Sequence, residues 1–247
     1  MIEIRGTTRL VGLLGWPTSH SLSPRMHNAG FEELGLDWAY VPLPTPPERL
    51  GEAVRGLVAT GFVGANVTIP NKQAVIEHCD QLDEIARRAG SVNTLLVEEG
   101  RVLGSSTDGA AVTDQVDADG RRALVLGAGG AARAVADALR VAGAHVEMVS
   151  RRDSGWPPAD DAVEVLVNCT PVKNELVVTP CRAMQVVDLA YNADGSPTAL
   201  VVAARSTGCE VVIDGLDVLL HQGVASFERW TGVAAPIGAM REALRRV

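Results

Sequence analysis

Of the 22 basic residues besides histidine, twenty are arginine and two are lysine, Lys72 and Lys173. Lys72 closes the run Asn66-Val67-Thr68-Ile69-Pro70-Asn71-Lys72. The two-residue period of a strand puts Asn66 and Thr68 on one face and Val67 and Ile69 on the other, and Pro70 ends the strand. Polar side chains and an ammonium at a strand's carboxyl end stand where open α/β sheets bind ligands. A polar strand end with an ordinary surface lysine has the same spacing. A second polar group, Ser19-His20-Ser21-Leu22-Ser23-Pro24, follows the first strand at the same edge. Its hydroxyls and the N–H groups of a helix start can hold a carboxylate, while Ser23 also reads as a plain N-cap before Pro24. Asn93-Thr94 enters a strand. Asp108, in Thr107-Asp108-Gly109, either serves a ligand or caps a helix over Gly109 to Val116. Tyr191 lies just past a strand and Gln222 on a C-terminal helix, and each is equally suited to a structural role.

A third group has a different chemistry. Gly127, Ala128, Gly129, Gly130 and Ala131 lie between a strand rich in leucine and valine and an alanine-rich helix. Glycines there permit a tight turn and let backbone N–H groups approach a pyrophosphate at the positive end of the helix dipole, although a packing turn uses the same residues. Some 20 residues on, where a dinucleotide site for NAD carries an acidic residue for the ribose, this chain has Ser150-Arg151-Arg152. Without a carboxylate, two guanidinium groups can grip a 2′-phosphate, which favours NADP.

These residues need a frame. Strands over Thr8–Gly15, Trp38–Leu43 and Val63–Ile69 alternate with helices from Ser23, over Pro47–Ala59, and from Asn71 and Asp83, which predicts parallel pairing in an α/β sheet. Asn93–Val97 and Val102–Ser105 read as a hairpin adding antiparallel strands. A strand, glycine turn, helix and strand after residue 110 form a dinucleotide-binding unit, continued by short strands at Val163–Asn168, Val186–Leu189 and Val211–Ile213. Helices over Leu216–Trp230 and Pro236–Arg246 close the chain. A length of 247 residues suits two modest domains. The expected division is 1–109, completed by 216–247, against 110–215. The net charge of −8 leaves no basic stripe for nucleic acid. No apolar run reaches membrane-spanning length and no leader is evident, so a cytoplasmic protein is expected. Cys79, Cys169, Cys181 and Cys209 show no metal-ligand or disulfide spacing and read as buried thiols, and no metal site is expected.

Taken in order, GWPTSHSLSPRMHN, GANVTIPNK, SVNTLL, STDG, GAGGAAR, DLAYN and GLDVLLHQGVASFERWTG resemble the shikimate dehydrogenase family, from Gly12 to about Ala243. The resemblance implies a two-domain α/β fold. A substrate domain with a mostly parallel sheet is joined to a Rossmann-like NADP domain, with the active site in the cleft between them. It implies NADP-dependent reduction of 3-dehydroshikimate to shikimate, with small-molecule partners only and a monomer or homodimer. Carried over by residue, Ser21 and Ser23 bind the substrate carboxylate with help from Tyr191. Asn66, Thr68, Asn93, Asp108 and Gln222 bind the ring hydroxyls, and Lys72 is the acid/base, paired with Asp108. Gly127 to Ala131, Ser150 to Arg152, Leu189 and Gly215 line the cofactor. The pairing suits the chemistry, because hydride delivery to a ketone leaves an alkoxide that an ammonium can stabilise and protonate.

Three departures accompany the match. Ser106 stands where the family usually has Asn, and Pro171-Val172-Lys173-Asn174 replaces the usual Gly-Met. The crossover over Asp153 to Glu164, with Trp156-Pro157-Pro158 inside it, is too short for a full helix, which predicts an opened adenine pocket and weaker NADP affinity. A relative acting on quinate or an amino analogue, and a non-catalytic sensor of a ligand and a dinucleotide, are the rival readings.

Overall fold

The protein is described from a computed structural model covering residues 3–158 and 163–246. The chain divides into two compact units, residues 1–107 with 220–247, and residues 108–219.

The first unit begins with β1 (Arg9–Gly15), α1 (Ser23–Glu33) and β2 (Trp38–Pro44). It continues with α2 (Leu50–Ala59), β3 (Gly64–Val67), β4 (Gln81–Leu82), α3 (Glu84–Ala89) and the hairpin β5 (Thr94–Glu98) and β6 (Arg101–Ser105). The sheet order is β2-β1-β3-β5-β6-β4. β1 lies parallel to β2 and β3, and the hairpin joins antiparallel through β5. The continuous apolar run of β1 fits this place, since its last five residues are buried. One face of the sheet packs on α2 through Leu14, Leu50, Val54, Leu57, Val67 and Leu95.

The second unit holds the single turn α4 (Ala110–Thr113), β7 (Arg122–Leu126), α5 (Gly130–Val141), β8 (His145–Val149), β9 (Val165–Asn168), β10 (Gln185–Asp188), α6 (Ala199–Thr207) and β11 (Val211–Ile213). Its strands are all parallel in the order β11-β10-β9-β7-β8. From β7 the chain winds first to β8 and then, over the short crossover, to β9 on the other side. The order therefore reverses between β7 and β9, the place where such sheets bind ligands. No residue of the crossover is helical among those described, and Asp160 and Asp161 lie outside them. Among the described residues no strand lies beyond β8, which is left as a half-exposed edge.

Helix α7 (Gly215–Thr231) leads back to the first unit, where α8 (Ile237–Arg245) ends the fold. This return is built on aromatic packing. The chain has nine aromatic residues, and five of them, Phe31, Trp38, Tyr40, Phe227 and Trp230, are buried around α1. Among them lies His27, fully buried. Its ring stacks on Tyr40 at 4.6 Å with a 5° interplanar angle, and Trp230 stands 5.3 Å away.

Several local expectations are corrected. Ser23 is the first residue of α1 rather than its N-cap. The cap is Leu22, and the Ser23 N–H donates to Ser21 Oγ at 3.2 Å. The helix expected from Asn71 is a turn followed by a 3-10 helix over Ala74–His78, because the buried Asn71 amide is tied across to the Thr45 carbonyl at 2.9 Å. The helix expected to Val116 stops at Thr113 and has no side-chain cap, so Asp108 is not spent in that way. Helix α6 goes beyond the expected elements, although Thr198 caps it and Gly208 closes it in the left-handed conformation. Cys79, Cys169 and Cys209 sit at element ends and are half-buried, and Cys181 is exposed in the loop before β10.

Neither ring nitrogen of His27 has a hydrogen-bond partner, and burial pushes the imidazole down to about 3, opposed by the nearby Asn66 side chain. The folded state therefore binds fewer protons than the unfolded chain at acid pH. Stability is full above the ordinary value of 6.5 and declines as pH falls toward about 3. His27→Leu is expected to remove this loss. Urea unfolding at neutral pH and about pH 4 should show a smaller acid-induced drop in the variant, by on the order of a few kcal/mol; parallel drops would contradict it.

Candidate functional site

In the first unit, three side chains one helical turn apart on α7, Gln222, Ser226 and Trp230, face the start of β5. Trp230 Nε1 donates to the Leu95 carbonyl at 2.9 Å. The Ser226 and Thr94 hydroxyls lie 2.8 Å apart. The Asn93 amide donates to Thr107 Oγ1 at 2.8 Å and, at 3.4 Å, to Gln222 Oε1. Asn93 Oδ1 accepts from the Thr107 N–H at 2.9 Å, and the Thr107 hydroxyl donates to the Gln222 carbonyl at 3.1 Å. Asn93, Gln222 and the residue before Asp108 are thus held as one polar cluster. Lys72 joins it through the backbone, its carbonyl accepting from the Val92 N–H at 2.9 Å. Its side chain is half-buried.

Asn66 behaves differently from the others. Its Nδ2 donates to the Asn93 carbonyl, Thr94 Oγ1 and Ser226 Oγ at 3.0 to 3.2 Å, and its Oδ1 accepts from the Tyr40 hydroxyl at 2.9 Å. With 4% exposure, it spends its amide on the cluster itself. Thr68 is half-exposed one residue past β3, and its N–H continues the ladder to the Leu14 carbonyl at 2.8 Å. Ser21 and Ser23 are neighbours at the start of α1, with no hydrogen bond linking them to this cluster among the described residues.

In the second unit, Gly127 has φ +122°, and a Cβ there would stand 3.3 Å from the Cys169 carbonyl oxygen. Only glycine suits both demands. Ala128 and Gly129 are exposed, Gly130 and Ala131 half-buried, and Gly129 stands at the N-cap of α5 with no side-chain cap. Its first N–H groups remain open to an anion. Asp108 is 5% exposed, and Gly109 beside it packs directly on α5, where a Cβ would come within 2.7 Å of the Ala134 carbonyl.

The turn after β8 holds a carboxylate that the sequence pattern did not reveal. Asp153 folds back so that its Oδ2 accepts from the Ser150 N–H at 2.7 Å and the Ser150 hydroxyl at 2.8 Å. These bonds hold its carboxyl below the usual range. Ser150 is therefore occupied, and Arg151 and Arg152, both exposed, are the groups left for a 2′-phosphate.

The carboxyl ends of β9 and β10 are organised by Asp188, which is fully buried. Its Oδ1 accepts from Asn168 Nδ2 at 2.8 Å and from the Ala190 N–H at 2.9 Å, while Oδ2 accepts from the Thr198 hydroxyl. One carboxylate thereby pins the end of β9, the turn toward Tyr191 and the cap of α6. Burial raises its pKa, against the pull of these hydrogen bonds. Leu189 is half-buried beside it, and Gly215 packs against the Ala190 carbonyl, where no side chain fits.

Residues 13–95 match the family described as the shikimate dehydrogenase substrate binding domain, and residues 215–245 match the shikimate 5′-dehydrogenase C-terminal domain. The NADP(+)-dependent shikimate dehydrogenase of Rubrobacter xylanophilus is 44% identical, over 98% of this chain and 97% of that protein. The chain belongs to the shikimate dehydrogenase family. Its fold has the same relatives. A shikimate dehydrogenase from Aquifex aeolicus superposes with a TM-score of 0.90 at 31% identity, covering 99% of this chain and 100% of that one. The Thermus thermophilus enzyme in complex with NADP(H) and shikimate gives 0.84 at 35% identity, over 96% and 99%. The alignment with the R. xylanophilus enzyme runs over 281 positions against 247 residues here, so at least 34 positions are gaps in this chain.

Ser226 and Trp230 escaped the sequence pattern, although the spacing of four from Gln222 was there to be read. Asp188 stood in the DLAYN motif with no role assigned, and its link to Asn168 and Thr198 carried no signal, since only folding brings them together. Asp188→Ala is expected to cost about 2–4 kcal/mol, because three buried donors lose their acceptor. Asp188→Asn keeps an acceptor toward Asn168 and Ala190 and should recover most of it. Equal losses by urea unfolding would show that charge, not hydrogen bonding, is what the site needs.

Proposed function

We propose that this chain catalyses the reversible NADP-dependent reduction of 3-dehydroshikimate to shikimate, in the cytoplasm. The observation that carries the reading is the cluster of Asn93, Thr107 and Gln222, which presents polar groups beside Asp108 in the sequence and ties them to the Lys72 backbone. Residues 1–109 with 216–247 bind the substrate, and 110–215 bind NADP through Gly127 to Ala131, Arg151, Arg152, Leu189 and Gly215, with Ser150 spent on Asp153. The glycine turn and the uncapped start of α5 fit a pyrophosphate, and the exposed arginine pair fits a 2′-phosphate.

In this reading Ser21, Ser23 and Tyr191 take the substrate carboxylate. Thr68, Asn93, Asp108 and Gln222 take the ring hydroxyls, and Asn66 sets the position of Asn93 from beneath. The dinucleotide, when bound, supplies the hydride. The Lys72 ammonium polarises the C3 carbonyl and gives its proton to the oxygen that becomes the alkoxide, and Asp108 keeps that ammonium charged and aimed. A sensor of ligand and dinucleotide needs no proton donor, so retention of Lys72 and Asp108 speaks for an enzyme.

The deciding assay follows NADP reduction with shikimate and with quinate as donors. Turnover of shikimate supports the reading, preference for quinate would transfer it to the neighbouring activity, and turnover of neither would overturn it. Lys72→Ala should lower turnover by about 10² to 10⁴ with little change in Michaelis constants, the range for a lost general acid/base. Retention of more than about a tenth of the activity would remove Lys72 from that role. Replacing Arg151 and Arg152 by Ala should raise the Michaelis constant for NADPH about ten-fold or more and barely move that for NADH. Equal changes would mean that the arginines do not read the phosphate.

A further inference from the structure

Cys181 and Cys209 are 28 positions apart, a spacing that marks no disulfide or metal pattern, yet folding sets them side by side within the second unit. Cys181 opens the turn that leads into β10. Its carbonyl accepts from the Met184 N–H at 3.0 Å, and its own N–H donates to Met184 Sδ at 3.4 Å. Cys209 stands between α6 and β11, where its N–H donates to the Ala204 carbonyl at 3.0 Å. The two backbones are joined from there on. The Glu210 N–H donates to the Met184 carbonyl at 3.1 Å, and β10 and β11 pair in register from Gln185 and Val211. On this frame the Cys209 thiol donates to the Cys181 carbonyl oxygen at 3.1 Å. A carbonyl oxygen lies about 2.4 Å from its own Cα, which keeps the Cys209 sulfur within about 5.5 Å of the Cys181 Cα. The two thiols differ in access. Cys181 is exposed, whereas Cys209 packs against the cluster of Val178, Met184, Leu200 and Ala204. Burial and the Cys181 thiol beside it hold the Cys209 thiol above its ordinary value. Both residues lie at the amino ends of β10 and β11, the edge of the sheet opposite Asp188.

We propose that Cys181 and Cys209 are a thiol–disulfide modification site, closed as a reversible cross-link within one chain by low-molecular-weight disulfides such as oxidised glutathione. The exposed Cys181 reacts first. Its thiolate attacks one sulfur of the incoming disulfide, forms a mixed disulfide and expels one small thiolate. Its side chain has open solvent to turn in, so it swings toward Cys209 without disturbing the ladder. Cys209 then loses its proton to solvent, and its sulfur attacks Cys181 Sγ, breaking the mixed disulfide and releasing the second small thiolate. Two protein thiols are oxidised to one disulfide, and the small disulfide is reduced to two thiols. Excess thiol reverses both steps, so in a reducing compartment the pair rests as a dithiol. The cross-link closes a loop that holds β10 and α6, and it leaves the carboxyl ends of the strands uncovered. It stands independently of the functional reading above.

The test treats the folded chain with oxidised glutathione, blocks the remaining thiols with N-ethylmaleimide and maps the digest by mass spectrometry without reduction. The expected product joins the Cys181 and Cys209 peptides of one chain, dithiothreitol restores both thiols, and Cys79 and Cys169 stay free. In wild type the mixed disulfide on Cys181 should stay below about a tenth of the modified protein, because the second thiol is already in place. Cys209→Ser should stop at that mixed disulfide, and Cys181→Ser should slow modification of the remaining Cys209 about ten-fold or more. In urea the selectivity should vanish, with cross-links spread over all pairings of the four cysteines. A mixed disulfide as the end product in wild type would overturn the pair, since the two sulfurs would then not meet. Cross-links to Cys79 or Cys169 in the folded chain, cross-links between chains, or thiols that all resist the reagent would overturn it as well. The same product mixture from the folded and the urea-unfolded chain would show that chance encounter, not the fold, joins the two cysteines.

Discussion

Much of the first unit depends on the packing of the last residues of the chain onto its beginning through a box of aromatic rings. Phe227 and Trp230 come from α7, Phe31 from α1, Trp38 and Tyr40 from β2, with His27 stacked among them. Aromatic pairs contribute large buried area and preferred ring geometry, so they fix the rotation of α7 as well as its contact. That rotation turns Gln222 and Ser226 toward β5 and so assembles the polar cluster. The box also explains why an imidazole is tolerated without partners. As a neutral ring it packs like its neighbours, and it becomes a liability only when acid charges it.

A polar layer lies directly on this apolar one. Tyr40 belongs to both, stacking on His27 with its ring and donating to Asn66 with its hydroxyl. Asn66 passes the constraint to Asn93, Thr94 and Ser226, and Asn93 passes it to Thr107 and Gln222. Buried amides in such a chain cannot shift singly, because each move strands a donor or acceptor away from water. The second unit uses the same device with a single carboxylate, Asp188, in place of a chain of amides.

The second sheet is economical. With no strand beyond β8 and no helix in the crossover among the described residues, that side of the sheet ends at β8 as an edge. What stays is the reversal of strand order between β7 and β9, and with it the glycine turn, the β9 loop and the arginine turn.

The sequence by itself determined the α/β class, the hairpin and the family, because apolar runs and glycine turns are local signals and the ordered motifs span most of the chain. It also placed Asn93, Asp108 and Lys72 at element ends, where polar residues interrupt apolar periods, and Gln222 on a C-terminal helix. It misread Ser23 as a cap and missed α6, whose Thr198 and Gly208 bracket only nine residues. Whether Asn66 faces a ligand or the core could not be read from a two-residue period, since both faces of β3 are buried. Only tertiary structure decided that. It likewise decided that Asp153 turns back onto Ser150 and that Asp188 gathers three segments from across the second unit. Hydrogen bonds between residues far apart in sequence leave no periodicity, and their partners are chosen by which elements pack, not by which residues are neighbours.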